Sequence, residues 1–177
     1  ASEVTLAGEA GLLALSGRTW CDSLLGDLRL PHPGVPLVEG GTVVGGITTK
    51  TEAATGVPVK TPVVVAGADT QCGMLGLGIS EEGRAGVVAG WSMPVQVTTS
   101  RPVLSPERQT WAGCWLDPAL WVLESTAGDA GNSYRWLSSL LFGREAFDKM
   151  DALAGSAPVG SDGATALLGP SQMDVSR

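Results

Sequence analysis

The sequence predicts an α/β fold in two parts that meet near residue 80. Three observations lead there. Before residue 80, short apolar runs alternate with segments of helical period. After Arg84 the pattern becomes short strands at hairpin spacing. Between the two, residues 80–84, "SEEGR", form a polar turn. The parts are read as 1–80 and 81–177, two α/β lobes whose ligand would lie in the cleft between them. A length of 177 residues suffices for one large domain or two small lobes, and a composition 44% hydrophobic and 16% charged indicates a packed core.

The elements follow in order. "AGEAGLLALSGRTWCDSLLGDLRLP" reads as a turn and short strand, then a helix carrying Trp20, Leu24, Leu25 and Leu28 and ended by Pro31. Residues 42–47 form a short exposed strand. "TTKTEAATGVP" gives one or two helical turns, with Thr48 or Thr49 as N-cap and Gly56 at the stop. "TPVVVAGAD", residues 61–69, is a continuous apolar run, as in a strand buried on both faces. "TQCGMLGLGIS" is helical, its glycines allowing close packing. Residues 85–103 hold two strands around "GWSMP", and 109–126 two more around the turn "DPA". Residues 127–143 form a helix with Tyr134, Leu137, Leu140 and Leu141 as its apolar face and Gly143 as its stop. A second helix and loop fill 144–163, and "ATALLG", 164–169, is a last short strand.

The bulk properties exclude several functions. A net charge of −7 leaves no basic face for nucleic acid. No apolar run approaches the roughly 20 residues that span a bilayer. Cys21, Cys72 and Cys114 are odd in number and widely spaced, which fits a reducing, cytoplasmic setting rather than disulfides or a metal site. His32, in "PHPG", is the single histidine, so Ser/His and Cys/His catalysis are disfavoured. Both ends read as cut from a longer chain.

The chemistry centres on residues 61–78. "GMLGLG" matches neither GxGxxG nor GxxxxGK[ST], so it reads as helix packing rather than a phosphate loop. The missing fingerprint also argues against a Rossmann oxidoreductase. Asp69 sits at the C-terminal end of an apolar strand, where α/β sheets present ligand-binding groups. It serves either a ligand or, as "DTQC" permits, the N-cap of the next helix. Cys72 reads as a small buried hydrophobe. Trp20, Trp111, Trp115 and Trp136 are candidates for a sugar platform, with burial in the core the competing fate of most tryptophans.

"GVPVKTPVVVAGADTQCGMLGLG" resembles the FGGY carbohydrate kinases, in which a "tGlP-x-GtPV-x-xGggD" segment closes the first domain. "SGRTWCDSLLGDLRLP" with "PLVEGGTVVGGIT" resembles the same family's helix, turn and strand. "GVVAGWSMPVQV" stands at its "GTS" nucleotide loop, and "LWVLESTAGDAGNSYRWL" at its "EGs…tGga-x-xrWl" helix. The resemblance covers nearly the whole chain and is nearest to xylulose kinase-like and autoinducer-2 kinase-like members.

That resemblance implies an actin-like, RNase H-like ATPase fold, present as a partial chain. Residues 1–80 would be the C-terminal part of the sugar-binding domain and 81–177 the N-terminal part of the nucleotide-binding domain. It implies phosphoryl transfer from ATP, with Mg2+, to a sugar or polyol hydroxyl. Asp69 matches the catalytic base, and Asp69, Thr70 and Gln71 would bind the substrate. A carboxylate is a weak base, so its positioning would matter more than its basicity. Gly90, Ser92, Gly131 and Arg135 match the nucleotide-binding positions. Trp91 departs from the family, which has a small hydroxyl residue there. The family's first phosphate hairpin would precede Ala1 and its adenine-binding glycines would follow Arg177, so the piece alone would be inactive. The competing reading is a non-catalytic sugar- or nucleotide-binding protein on the same scaffold, and a homodimer is left open.

Overall fold

A computed structural model describes residues 1–107, 109–126, 128 and 130–165. Their contacts group into two compact units, Ala1–Val88 with Val95–Ser125, and Ala89–Pro94 with Thr126–Arg177. The strands that follow residue 84 therefore pack mainly with the residues that precede it, although the sequence pattern changes there.

In the first unit, β1 (Ser2–Glu3) runs directly into α1 (Val4–Glu9). Glu3 is the N-cap, and its Oε2 accepts the amides of Thr5 (2.9 Å) and Leu6 (3.1 Å). The sequence reading contained no helix here. Six residues are too few for an apolar period to register. β2 (Leu13–Ala14) and β3 (Thr19–Trp20) form a hairpin, followed by α2 (Asp22–Asp27). Trp20 lies in β3, before the helix to which it was assigned. The helix stops ahead of Pro31, because the chain turns left-handed at Arg29 (φ 54°).

β4 (Leu37–Val38) pairs in parallel with β1. β5 (Val43–Gly46) is exposed, as expected. α3 (Thr49–Thr55) has Thr48 as N-cap, its Oγ1 accepting from Thr51 N–H, and Gly56 at φ 75° as its stop. β6 (Pro62–Val64) corrects the sequence reading. Instead of a doubly buried strand, it is three exposed residues paired antiparallel with β5 alone. An apolar run resembles a buried strand only where other layers cover it, and here the described residues supply none.

α4 (Asp69–Gly76) follows, and then a sheet of β7 (Ala85–Val87), β8 (Pro94–Thr99), β9 (Trp111–Cys114) and β10 (Trp121–Thr126) in the order β7-β8-β10-β9. Both expected hairpin regions are present. Met74 of α4 packs into the core with Trp115, Leu120 and Val122. Among the tryptophans only Trp115 is sealed, whereas Trp20, Trp111, Trp121 and Trp136 are half-buried and Trp91 is exposed.

One side chain ties these elements together. The Arg18 guanidinium makes a two-pronged contact with Glu39 (2.8 and 2.5 Å) and donates to the carbonyls of Trp115 (2.9 Å) and Leu120 (3.4 Å). These carbonyls flank the β9–β10 turn. Next in that turn, Leu116 lies against Gly67 and Gly40, and a Cβ at Gly67 would collide with its Cδ2.

The second unit contains α5 (Ala130–Phe142) and α6 (Phe147–Ser156). Gly143, at φ 68°, ends α5 as expected. The expected apolar face is not the buried one. Leu140 and Leu141 are exposed, and the fully buried residue is Ser138, whose Oγ accepts from Ala146 N–H (2.8 Å). Tyr134 stacks on Phe147 with centroids 5.8 Å apart and donates to Asp151 (2.8 Å). The strand expected at 164–169 lies outside the described residues beyond 165.

Two outcomes follow. Arg18→Ala breaks a largely buried ion pair and strands two carbonyls. It should cost about 3 kcal/mol in urea unfolding, with Lys recovering under half because it lacks the fork. Gly67→Ala should cost roughly 1–3 kcal/mol through overpacking, and Leu116→Ala in the same chain should relieve most of that cost.

Candidate functional site

Asp69 is the first residue of α4, and the backbone before it is held on two sides. Thr5 Oγ1, fully buried, accepts the Ala68 N–H (2.8 Å) and itself donates to Glu3 Oε2 (2.6 Å). Gly67 N–H donates to Cys72 Sγ (3.4 Å), and Leu116 covers Gly67. The N-cap of α4 is Ala68, which makes no side-chain bond, so Asp69 does not cap the helix. Its side chain is exposed. Oδ1 accepts from Thr70 N–H (2.6 Å) and from the Thr70 hydroxyl (3.3 Å), and Oδ2 has no hydrogen bond among the described residues. The arrangement is a carboxylate oriented by its neighbour, with one oxygen turned loose on a fixed backbone.

Thr70 is half-buried in the first turn of α4. Gln71 is wholly buried, and neither its Oε1 nor its Nε2 meets a hydrogen-bond partner. Around it stands a group that sequence reasoning missed. Burial holds the Glu9 carboxyl above its ordinary pKa, the Gln71 amide acts in the opposite direction, and Asp69, Glu124 and Glu3 add to the rise. Gln96 donates to Glu124 (2.6 Å), and its own Oε1 is buried without a partner. No motif signals Glu9, because the helix that carries it is not visible in the sequence.

The second unit brings together three of the four residues assigned to a nucleotide. Gly90, Gly131 and Arg135 line a cavity of about 390 Å³ with Trp91, Tyr134 and Phe147, and Ser92 is not in its wall. Gly131 N–H is already given to the Trp91 carbonyl (2.7 Å). A Cβ at Gly131 would stand 2.6 Å from Gly90 O and 2.8 Å from Trp91 Cα, so this crossing requires glycine. Arg135 binds Glu145 through Nε (3.1 Å). Trp91 is 69% exposed, so it is not a core residue. A separate cavity of about 340 Å³ in the first unit is lined by Gly67, Cys72, Leu75 and Leu116, and Asp69 is not part of it. Among the described residues no three Asp, Glu, His or Cys side chains converge on a metal position, and no helix is long and apolar enough to cross a membrane.

Comparison with known proteins agrees with this picture. Residues 1–76 match the FGGY family of carbohydrate kinases, N-terminal domain. The chain is 29% identical over 168 residues to autoinducer-2 kinase of Yersinia pestis (strain Pestoides F), covering 89% of this chain and 32% of that one. It thus spans about a third of the length of the curated relatives it matches. The fold superposes on xylulose kinase from Rhodospirillum rubrum with a TM-score of 0.73 and 27% identity, over 92% of this chain and 34% of the other. On ligand-bound xylulose kinase from Lactobacillus acidophilus the TM-score is 0.78 with 21% identity, over 92% and 33%. The fold is therefore that of the actin-like ATPase kinases, α/β as the sequence predicts. With the Asp69 turn inside the matched stretch and the same fold in its structural neighbours, residues 1–76 match the N-terminal domain of the FGGY family of carbohydrate kinases, and the chain as a whole is similar to sugar kinases.

Proposed function

We propose that the complete protein transfers the γ-phosphoryl group of ATP to a hydroxyl of a sugar or polyol, with Asp69 as the general base. The observation that carries this reading is the unengaged Oδ2 of an exposed Asp69 on a doubly held backbone. As the substrate oxygen bonds to phosphorus, the bond from phosphorus to the β-phosphate oxygen breaks and ADP leaves. The hydroxyl proton passes to Oδ2. Thr70 holds Oδ1, so the base needs no reorientation during the step. In a loose transition state this placement contributes more than basicity does.

On this reading residues 1–80 belong to the sugar-binding domain and 81–177 to the nucleotide-binding domain. Gly90, Ser92, Gly131 and Arg135 would hold ATP. The fit rests on a glycine turn, an aromatic wall and a guanidinium whose two terminal nitrogens are uncommitted among the described residues. Bound ATP supplies the activated phosphoryl group. Mg2+ would come with it, since that ion is held largely by phosphates and one or two carboxylates. Use of ATP fits a cytoplasmic protein.

Two observations support the competing reading, a binding protein without turnover. The Gly131 amide is committed to Trp91, and Arg135 is already paired with Glu145. Asp69→Asn separates the two. In the complete protein a kinase should lose turnover by roughly 10²–10⁴-fold and keep its sugar affinity. A binding protein would give no ADP release to lose. Gly131→Ala, which forces the loop at Gly90 and Trp91 aside, should raise the KM for ATP about tenfold or more while leaving sugar binding by calorimetry unchanged.

A further inference from the structure

In the second unit, two adjacent residues of α5 are each fastened to the stretch that opens α6. Tyr134 stacks on Phe147, with centroids 5.8 Å apart and planes at 14°, and donates to Asp151 (2.8 Å). Arg135 forms an ion pair with Glu145, Nε to Oε1, at 3.1 Å. Between Glu145 and Phe147 lies Ala146, whose N–H donates to the buried Ser138 Oγ (2.8 Å). One hydrogen bond thus sets the backbone that carries both partners. Tyr134, Arg135 and Phe147 line the cavity of about 390 Å³, and Glu145 stands outside its wall.

We propose that Glu145 is a positioning residue for the nucleotide: it fixes Arg135 by Nε, so that the two Nη groups are presented to the phosphates of ATP. The inference rests on this cavity being the nucleotide site, and it gives the Arg135–Glu145 pair a use there. The pair does not spend Arg135, because it takes one guanidinium nitrogen of three. A phosphate accepts two parallel N–H groups from the planar fork, and the Nη edge still offers them. Without Glu145 a largely exposed arginine would spread over many rotamers and lose that freedom on binding. Charge acts the other way, since Glu145 repels phosphate. The two side chains are 59% and 50% exposed and Glu145 is outside the wall, so solvent and salt weaken that longer-range repulsion. Orientation therefore outweighs it. An ion pair this exposed adds little to stability, so a chain without it still folds.

The test uses the complete protein with Glu145→Ala, Glu145→Gln, Arg135→Ala and the double variant Arg135→Ala with Glu145→Ala. ATP, ADP and adenosine are titrated by calorimetry, and ADP release is assayed with D-xylulose, D-gluconate and glycerol as acceptors. Glu145→Ala should weaken ATP binding and raise its KM roughly 5- to 10-fold, with kcat and the acceptor KM within about twofold. Adenosine brings no phosphate and should bind wild type and Glu145→Ala alike, whereas a merely structural role would weaken it too. Glu145→Gln, whose Oε1 still accepts from Nε–H, should stay within about threefold of wild type. In the Arg135→Ala background, Glu145→Ala should cost nothing further, so the two losses are not additive. Unchanged or tighter ATP binding in Glu145→Ala, while Arg135→Ala weakens it, overturns the role of Glu145 and leaves the nucleotide site standing. An equal loss for adenosine, or a loss that persists without Arg135, overturns that role as well. ATP binding unchanged in Arg135→Ala, or absent from wild type, overturns both the site and Glu145. Full turnover in Asp69→Asn overturns only Asp69 as the base, and the titrations still decide on Glu145.

Discussion

The first unit depends on one guanidinium. Arg18 takes both oxygens of Glu39 and two carbonyls at the ends of the β9–β10 turn, so a single side chain joins the β2–β3 hairpin, the segment after β4 and the four-stranded sheet. Burial opposes the charge on Arg18 most strongly, but the Glu39 hydrogen bond and the charges of Cys114, Glu39 and Glu3 together hold its pKa above the ordinary value. A buried pair of this kind adds little net stability over a well-packed apolar substitute, but a half-removed one is costly. The turn that Arg18 grips carries Trp115 into the core and sets Leu116 over Gly67. Gly67 stands two residues before Asp69. The geometry of the candidate base is thus inherited, contact by contact, from a residue far away in the sequence.

The other side of the same turn is held by Glu3. Its buried carboxylate accepts three hydrogen bonds at Oε2, two from amides and one from the Thr5 hydroxyl, and leaves Oε1 without a partner. Thr5 passes this order on to Ala68. A serine could make the same two bonds, but the branched threonine has fewer rotamers to lose. The device spends a buried carboxylate on fixing one amide, a poor bargain for stability alone and a sensible one where the next residue must be placed.

The legible parts of the chain are those in which local chemistry decides. Thr48 and Gly56 bound α3 through a side-chain cap and a left-handed glycine, and both signals act within a few residues. The two hairpin regions and the Gly143 stop are local in the same way. What the sequence hides depends on distant partners. α1 is six residues with its signal in a buried carboxylate. The apolar run at β6 looks like a core strand because nothing in a run of valines says how many layers cover it. On α5 the buried position is Ser138, chosen by its bond to Ala146 rather than by hydrophobicity. The candidate site divides along the same line. Asp69 could be found from its place after an apolar run and from the motif around it. The burial of Gln71 could not, because only the fold seals that side chain.

The electrostatics of the two units suggest how the labour is divided on the proposed reading. Phosphoryl transfer requires a free carboxylate near a donor that is itself highly negative. The surroundings of Asp69 worsen that conflict, since the charged groups acting on nearby Glu9 are all carboxylates. Neutralisation must then come from outside this cluster. In the second unit Arg135 keeps its terminal nitrogens uncommitted among the described residues, beside glycines that admit close backbone approach. A divalent ion carried on the phosphates would supply the remainder.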